Sequence, residues 1–150
     1  MPIRCEIVSQ DRTLFQGDAD MVIAPGSEGE MGILPHHAPL LTTLSYGFLR
    51  VRHGSKEDVF AVSGGVMEVR PEIVTVLADV GENVAEIDEA RAEAARRRAA
   101  DLLAKGPPPD TDEYLALETA LRRSTLRLEA VRRYRRGTPR PPRIEGSEGR

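Results

Sequence analysis

A chain of 150 residues, 40% hydrophobic and 30% charged, has room for one good core carrying a smaller appendage, and its 21 basic against 24 acidic residues leave a formal net charge of -3 that names no partner. Its one cysteine, Cys5, excludes an internal disulfide framework and a multi-cysteine metal site, and fits a small core residue on a strand in a reducing compartment. No run approaches the roughly 20 apolar residues of a membrane span and no basic, apolar leader opens the chain, so a cytoplasmic protein that meets a membrane only through a partner is expected.

From residue 2 to about residue 80 the apolar pattern has period two: "IRCEIV", "FLRVR", "DVFAV", "VMEVR" and "EIVTVLA" read as short strands. Turn signals lie between them at "QDR", "QGD", "APGSEGEMG", "RHGSKED", "SGG" and "RPE". Closely spaced short strands with no helix between them predict an antiparallel sandwich or barrel and argue against parallel pairing.

At Asp88 the pattern changes. "IDEARAEAARRRAADLLAK" is rich in strong helix formers and lacks glycine and proline, so a helix is predicted from Asp88, its N-cap, to Lys105 and Gly106. "GPPPD" then breaks the chain, and Asp110 with Glu113 resembles a capping box that opens a second helix reaching about Arg136. On that helix Tyr114, Leu117, Leu121, Ser124, Leu128 and Val131 form one narrow apolar stripe. The first helix offers it mainly Ala90, Ala94, Ala95, Ala99, Leu102 and Leu103. Small side chains bury little area each, so a weakly held hairpin able to detach from the sandwich is expected. The remaining residues, 137–150, are proline, glycine and charge without periodicity, the composition of a disordered tail.

Three groups could carry chemistry. His36 and His37 are adjacent, so on extended chain they point to opposite faces and do not converge on one metal or substrate, and no nucleophile motif accompanies them. Gly26, Gly29, Gly32, Gly64 and Gly65 match no phosphate-loop spacing and read as turn glycines. The arginines have three readings. They form solvated faces, or a nucleic-acid surface that lacks aromatic platforms, or a polyphosphate or acidic-protein site. Arg91 and Arg98 lie two turns apart, and Arg123 and Arg127 one turn apart on the other helix, a possible guanidinium clamp across a hairpin.

"GEMGILPHHAPLLTTL", "SGG" and the "IDEARA" junction, in this order over residues 1–136, together resemble the epsilon subunit of bacterial F-type ATP synthase. The resemblance implies a ten-stranded β-sandwich, residues 1–86, that docks on the gamma subunit and the c-ring, and a mobile α-helical hairpin, residues 87–136. It implies a non-catalytic, peripheral part of the rotor on the cytoplasmic side of the bacterial inner membrane, with no nucleic acid and no required cofactor. Its hairpin would extend toward the acidic surface of the alpha/beta catalytic head and restrain hydrolysis, a reach of roughly 37 Å for about 25 helical residues.

Members that bind ATP in the compact state carry Ile/Leu-Asp-x-x-Arg-Ala, matched here by Ile87, Asp88, Arg91 and Ala92, with Glu82 as the loop carboxylate. The same register places Arg98, Arg123 and Arg127 near the nucleotide, the arginines toward phosphates, and Glu82 and Asp88 toward the purine and the loop. The proline-rich "KGPPPDTDEY" departs from the family pattern. A stand-alone nucleotide-sensing module, outside any ATPase, is the alternative reading.

Overall fold

A computed structural model describes residues 1–106 and 108–136. The tail expected at 137–150 lies outside the described residues. Strands β1 (Ile3–Val8), β2 (Thr13–Ala19), β3 (Met21–Gly26), β4 (Gly29–Ile33), β5 (Leu40–His53), β6 (Lys56–Val69), β7 (Ile73–Ala78) and β8 (Gly81–Asn83) come first. A 3-10 turn, Val84–Glu86, leads into helix α1 (Glu89–Ala104), then α2 (Thr111–Val131) and a π-helical turn, Arg132–Arg136.

The strands join in the order β2-β1-β7-β6-β5-β3-β4, with β8 on β6. Alternation decides what is inside: in β1, Ile3, Cys5 and Ile7 are fully buried while Arg4 is exposed, the pattern of a sheet with one wet face. These residues share a core with Val22, Ile33, Leu49, Phe60 and Met67. Burial pushes the Cys5 thiol up to about 12, so it stays protonated and inert at neutral pH.

Eight strands stand where the resemblance implied ten. β5 and β6 are each 14 residues long, and β6 pairs with β8 through Phe60–Val62 but with β7 through Gly65–Val69. One continuous strand thus serves two neighbourhoods. Its change of direction falls at Gly64 and Gly65, whose φ values are +83 and +138. The "SGG" segment is therefore a bend inside a strand and not a turn between two, because glycine supplies the conformation without breaking the ladder.

Three other expectations need correction. β1 and β7 pair in parallel, from Arg4↔Ile73 to Val8↔Leu77. Local turns connect only neighbours in sequence, whereas this pairing is made by the core that brings both strands together. "QGD" lies within β2, and only Ser27 and Glu28 of "APGSEGEMG" separate β3 from β4. On α1 the buried residues are Ala92 and Ala99, while Ala90, Ala94 and Leu102 are exposed. The alanine-rich run has apolar residues on every face, so spacing alone does not choose the packed one.

Both predicted caps form. The Asp88 side chain accepts from the Arg91 N–H at 3.1 Å, and Asp110 accepts from the Asp112 N–H at 2.9 Å. The stripe on α2 is half of what that helix buries: Ser124 and Val131 are buried as expected, and so are Leu126 and Ala130. Leu126 and Ala130, together with Val131, face the sandwich in a second core with Phe48, Ala61, Val84 and Ile87. Leu126, Ala130 and Tyr134 recur at a spacing of four, the sequence signal for this second stripe.

Candidate site between the sandwich and the helical hairpin

The histidine pair is held by backbone. His36 takes φ +67 and donates its N–H to the Pro71 carbonyl at 2.8 Å, and His37 Nδ1 lies 2.8 Å from the Ala38 carbonyl oxygen. Neither ring meets a carboxylate or nucleophile in these contacts, and no cluster of metal-ligating side chains occurs among the described residues.

The arginines converge elsewhere. An open cavity of about 590 Å³ between the end of the sandwich and the hairpin is lined by Glu82, Asp88, Arg91, Arg98 and Arg127, five of the eight residues that the sequence singles out. α1 contributes Arg91 and Arg98, two turns apart on one face, α2 contributes Arg127, β8 contributes Glu82, and the segment after it contributes Glu86 and Asp88. A neighbouring cavity of about 350 Å³, lined by Ala61, Val80, Ala95, Leu126 and Arg123, shares Glu82 and Arg127 with the first. Arg123 belongs to this second chamber. Its Nε is buried without a hydrogen-bond partner among the described residues.

Ile87 and Ala92 line neither chamber. Ile87 is buried in the second core and Ala92 is fully buried, so both shape the site from behind. Glu86 lines the polar chamber although no spacing pointed to it: a glutamate in a charged junction has no pattern to distinguish it.

Arg127 and Glu82 meet directly. Nε and one terminal nitrogen donate to the two carboxylate oxygens at 2.8 and 3.0 Å, a bidentate pair about three-quarters buried on either side. This pair ties α2 to the strand region across 45 residues of sequence. Arg96 and Arg97, by contrast, pair with Glu93 on their own helix, and the Arg96 guanidinium holds the Glu93 carboxyl below its usual range.

The chemistry available is anion binding. Arg91 and Arg98 add two guanidinium groups to a polar chamber, and the smaller chamber has mostly small and apolar walls beside the Arg123 and Arg127 heads. Further along α2, the Arg122 guanidinium stacks over Tyr46 at 3.8 Å, and Phe48 meets Tyr134 edge to face at 5.1 Å between ring centres. These contacts fasten α2 to β5.

The comparisons agree with this architecture. Residues 2–84 match the family described as ATP synthase, Delta/Epsilon chain, beta-sandwich domain, and residues 85–132 match its long alpha-helix domain. The ATP synthase epsilon chain of Acidithiobacillus ferridurans is 45% identical over 135 residues, which are 90% of this chain and 94% of that one. The epsilon chain of Dehalococcoides mccartyi strain CBDB1 is 46% identical over 136 residues, 89% of this chain and 95% of that one. A chain in the cryo-EM structure of the Euglena gracilis mitochondrial ATP synthase, OSCP/F1/c-ring in rotational state 1, superposes with a TM-score of 0.71 at 28% identity, covering 87% of this chain and 81% of its own. With both halves of the fold matched in order, the chain belongs to the Delta/Epsilon family of ATP synthase subunits, among its epsilon chains.

Proposed function

We propose that this chain is a non-catalytic central-stalk subunit whose sandwich, residues 1–86, couples the gamma subunit to the c-ring and whose hairpin, residues 87–136, restrains ATP hydrolysis. It works on the cytoplasmic side of the bacterial inner membrane and reaches that membrane only through the complex. No helix among the described residues is long and apolar enough to cross a membrane, which fits peripheral attachment. The Euglena gracilis assembly, with its F1 and c-ring, supports the choice of partners.

The compact hairpin holds ATP as a regulatory ligand, and no cofactor is required. One observation carries this reading: Arg91 and Arg98 of α1, Arg127 of α2, Glu82 of β8 and Asp88 surround a single cavity between the sandwich and the docked hairpin. A polyanion bound there favours the docked state by mass action, and detachment of the hairpin toward the alpha/beta head destroys the site. Arg123, with its buried Nε, supplies a further donor to a ligand that reaches the smaller chamber.

Calorimetric titration with ATP, with GTP as the competitor, tests this. Arg91→Ala is expected to weaken ATP binding by about 10- to 100-fold, the loss of a charge-assisted hydrogen bond of about 1.5–3 kcal/mol, with unchanged melting of the sandwich. Equal affinity in the two proteins would remove Arg91 from the site, and no heat at millimolar ATP would remove the ligand. The inhibitory role is tested separately. Deletion of residues 87–150 is expected to raise hydrolysis by the assembled complex severalfold, because the sandwich core draws on strands alone; an unchanged rate would sink the inhibition.

A further inference from the structure

We propose that Arg135 is a positioning residue that holds the junction between sandwich and hairpin and thereby assembles the anion site. Its role in ligand binding rests on the reading above, whereas its role in holding the hairpin does not. Arg135 lies in the last described turn of the chain, and one terminal nitrogen donates to the Ile87 carbonyl at 2.6 Å and to the Val84 carbonyl at 3.4 Å. Val84 opens the 3-10 turn that leads towards α1, and Ile87 caps its end. The Val84 carbonyl also accepts from the Ile87 N–H at 3.4 Å, and a cation meets carbonyls at the end of a helical turn favourably.

The contact controls more than two oxygens. The Ile87 carbonyl and the Asp88 N–H belong to one rigid peptide plane, so fixing the oxygen orients Asp88. Asp88 caps α1 through the Arg91 N–H, and both residues line the polar cavity. Eight residues before Arg135, Arg127 grips Glu82. Arg127 near the end of α2 and Arg135 in the turn that follows it therefore hold the two ends of the 82–88 segment, with Val84 and Ile87 in one buried cluster with Ala130 and Val131. Glu57 and Asp58 line a small cavity beside Arg135 and favour a cation there.

One terminal nitrogen serves both acceptors, so a lysine there keeps the charge and the donors and loses only the rigid geometry of the guanidinium. Without Arg135 the junction loses its only side-chain donor among the described hydrogen bonds to these carbonyls, and the docked state becomes less populated. Apparent affinity for a ligand of the docked state falls by the same factor as its population.

The test uses the full chain labelled at Ser55→Cys and Ala116→Cys, both exposed positions on opposite sides of the hinge, and energy transfer between the labels. The buried Cys5 thiol, pushed up to about 12, does not compete for label. In Arg135→Ala the undocked, altered-distance population without nucleotide is expected to rise about tenfold, the apparent Kd for ATP to rise by the factor by which the docked population falls, and Arg135→Lys to fall between. A distance distribution equal to that of the parent protein would overturn the proposal. Absence of ATP binding by the parent would overturn the ligand reading alone, since the nucleotide-free distances still decide whether Arg135 holds the hinge.

Discussion

Ala130→Glu is expected to release the hairpin while leaving the sandwich folded. Ala130 is fully buried in the second core, beside Phe48, Val84 and Ile87 on the sandwich-facing side of α2. A glutamate there must bury an unpaired carboxylate, at a cost of several kcal/mol, or move it into water. The hairpin offers the second route, because undocking exposes position 130 without disturbing the core built from strands. The penalty is therefore capped by the docking free energy. An undocked population about a hundredfold larger corresponds to about 3 kcal/mol. Trypsin reads it, since cleavage after Arg123 and Arg127 follows the population of the open form when opening is fast. The melting temperature of the sandwich should stay within a few degrees of the parent. Loss of the whole fold, or unchanged cleavage, would contradict the division of the molecule into an independent sandwich and a docked hairpin.

Gly65→Val is expected to do the reverse and destabilise the sandwich itself. Gly65 has φ +138, a region closed to a β-branched residue, and a Cβ there would overlap the Leu77 carbonyl oxygen and approach the Ala78 Cα to 2.9 Å. Backbone atoms of a paired strand cannot swing aside. Strain of about 1–3 kcal/mol and a clash of similar size remove about 4 kcal/mol from a stability of about 5–15 kcal/mol. A fall of at least about 15 °C in melting temperature should follow. Gly54→Asn is the control: Gly54 sits at φ +59 in the β5–β6 turn with open space around it, and asparagine tolerates that conformation. Similar losses in the two proteins would show that backbone conformation, and not the close approach to β7, dominates at Gly65.

The legible parts of the sequence were the ones governed by near neighbours. Period-two patterns such as "IRCEIV" mark strands wherever one face is dry, and Asp88 and Asp110 announce helix starts because a side-chain oxygen has only to reach an N–H two or three residues on. β2, β3 and β4 were hidden because their glycines, prolines and carboxylates read as turns, while pairing across the sheet overrides that preference. Six of the eight candidate residues line the two linked chambers: spacing on single helices made the four arginines visible, Asp88 showed as a helix cap, and Glu82 came only through the family resemblance. Ile87 and Ala92 carry the motif from within the packed interior.

By itself the sequence determined an all-β amino half, two helices with their caps, a lone buried thiol and an excess of arginine on the hairpin. All of these follow from composition and from interactions within a few residues. Only the tertiary structure decided that β1 lies parallel to β7, that Leu126 and Ala130 face the sandwich, that Arg127 is held by Glu82, and that Arg135 reaches back to Val84 and Ile87. Each of these contacts joins residues far apart in the chain, 45 apart for Arg127 and Glu82. Such partners are chosen by the shape of the assembled core, which brings some guanidinium groups to carboxylates or carbonyls and turns others toward an open cavity, and no local periodicity records that choice.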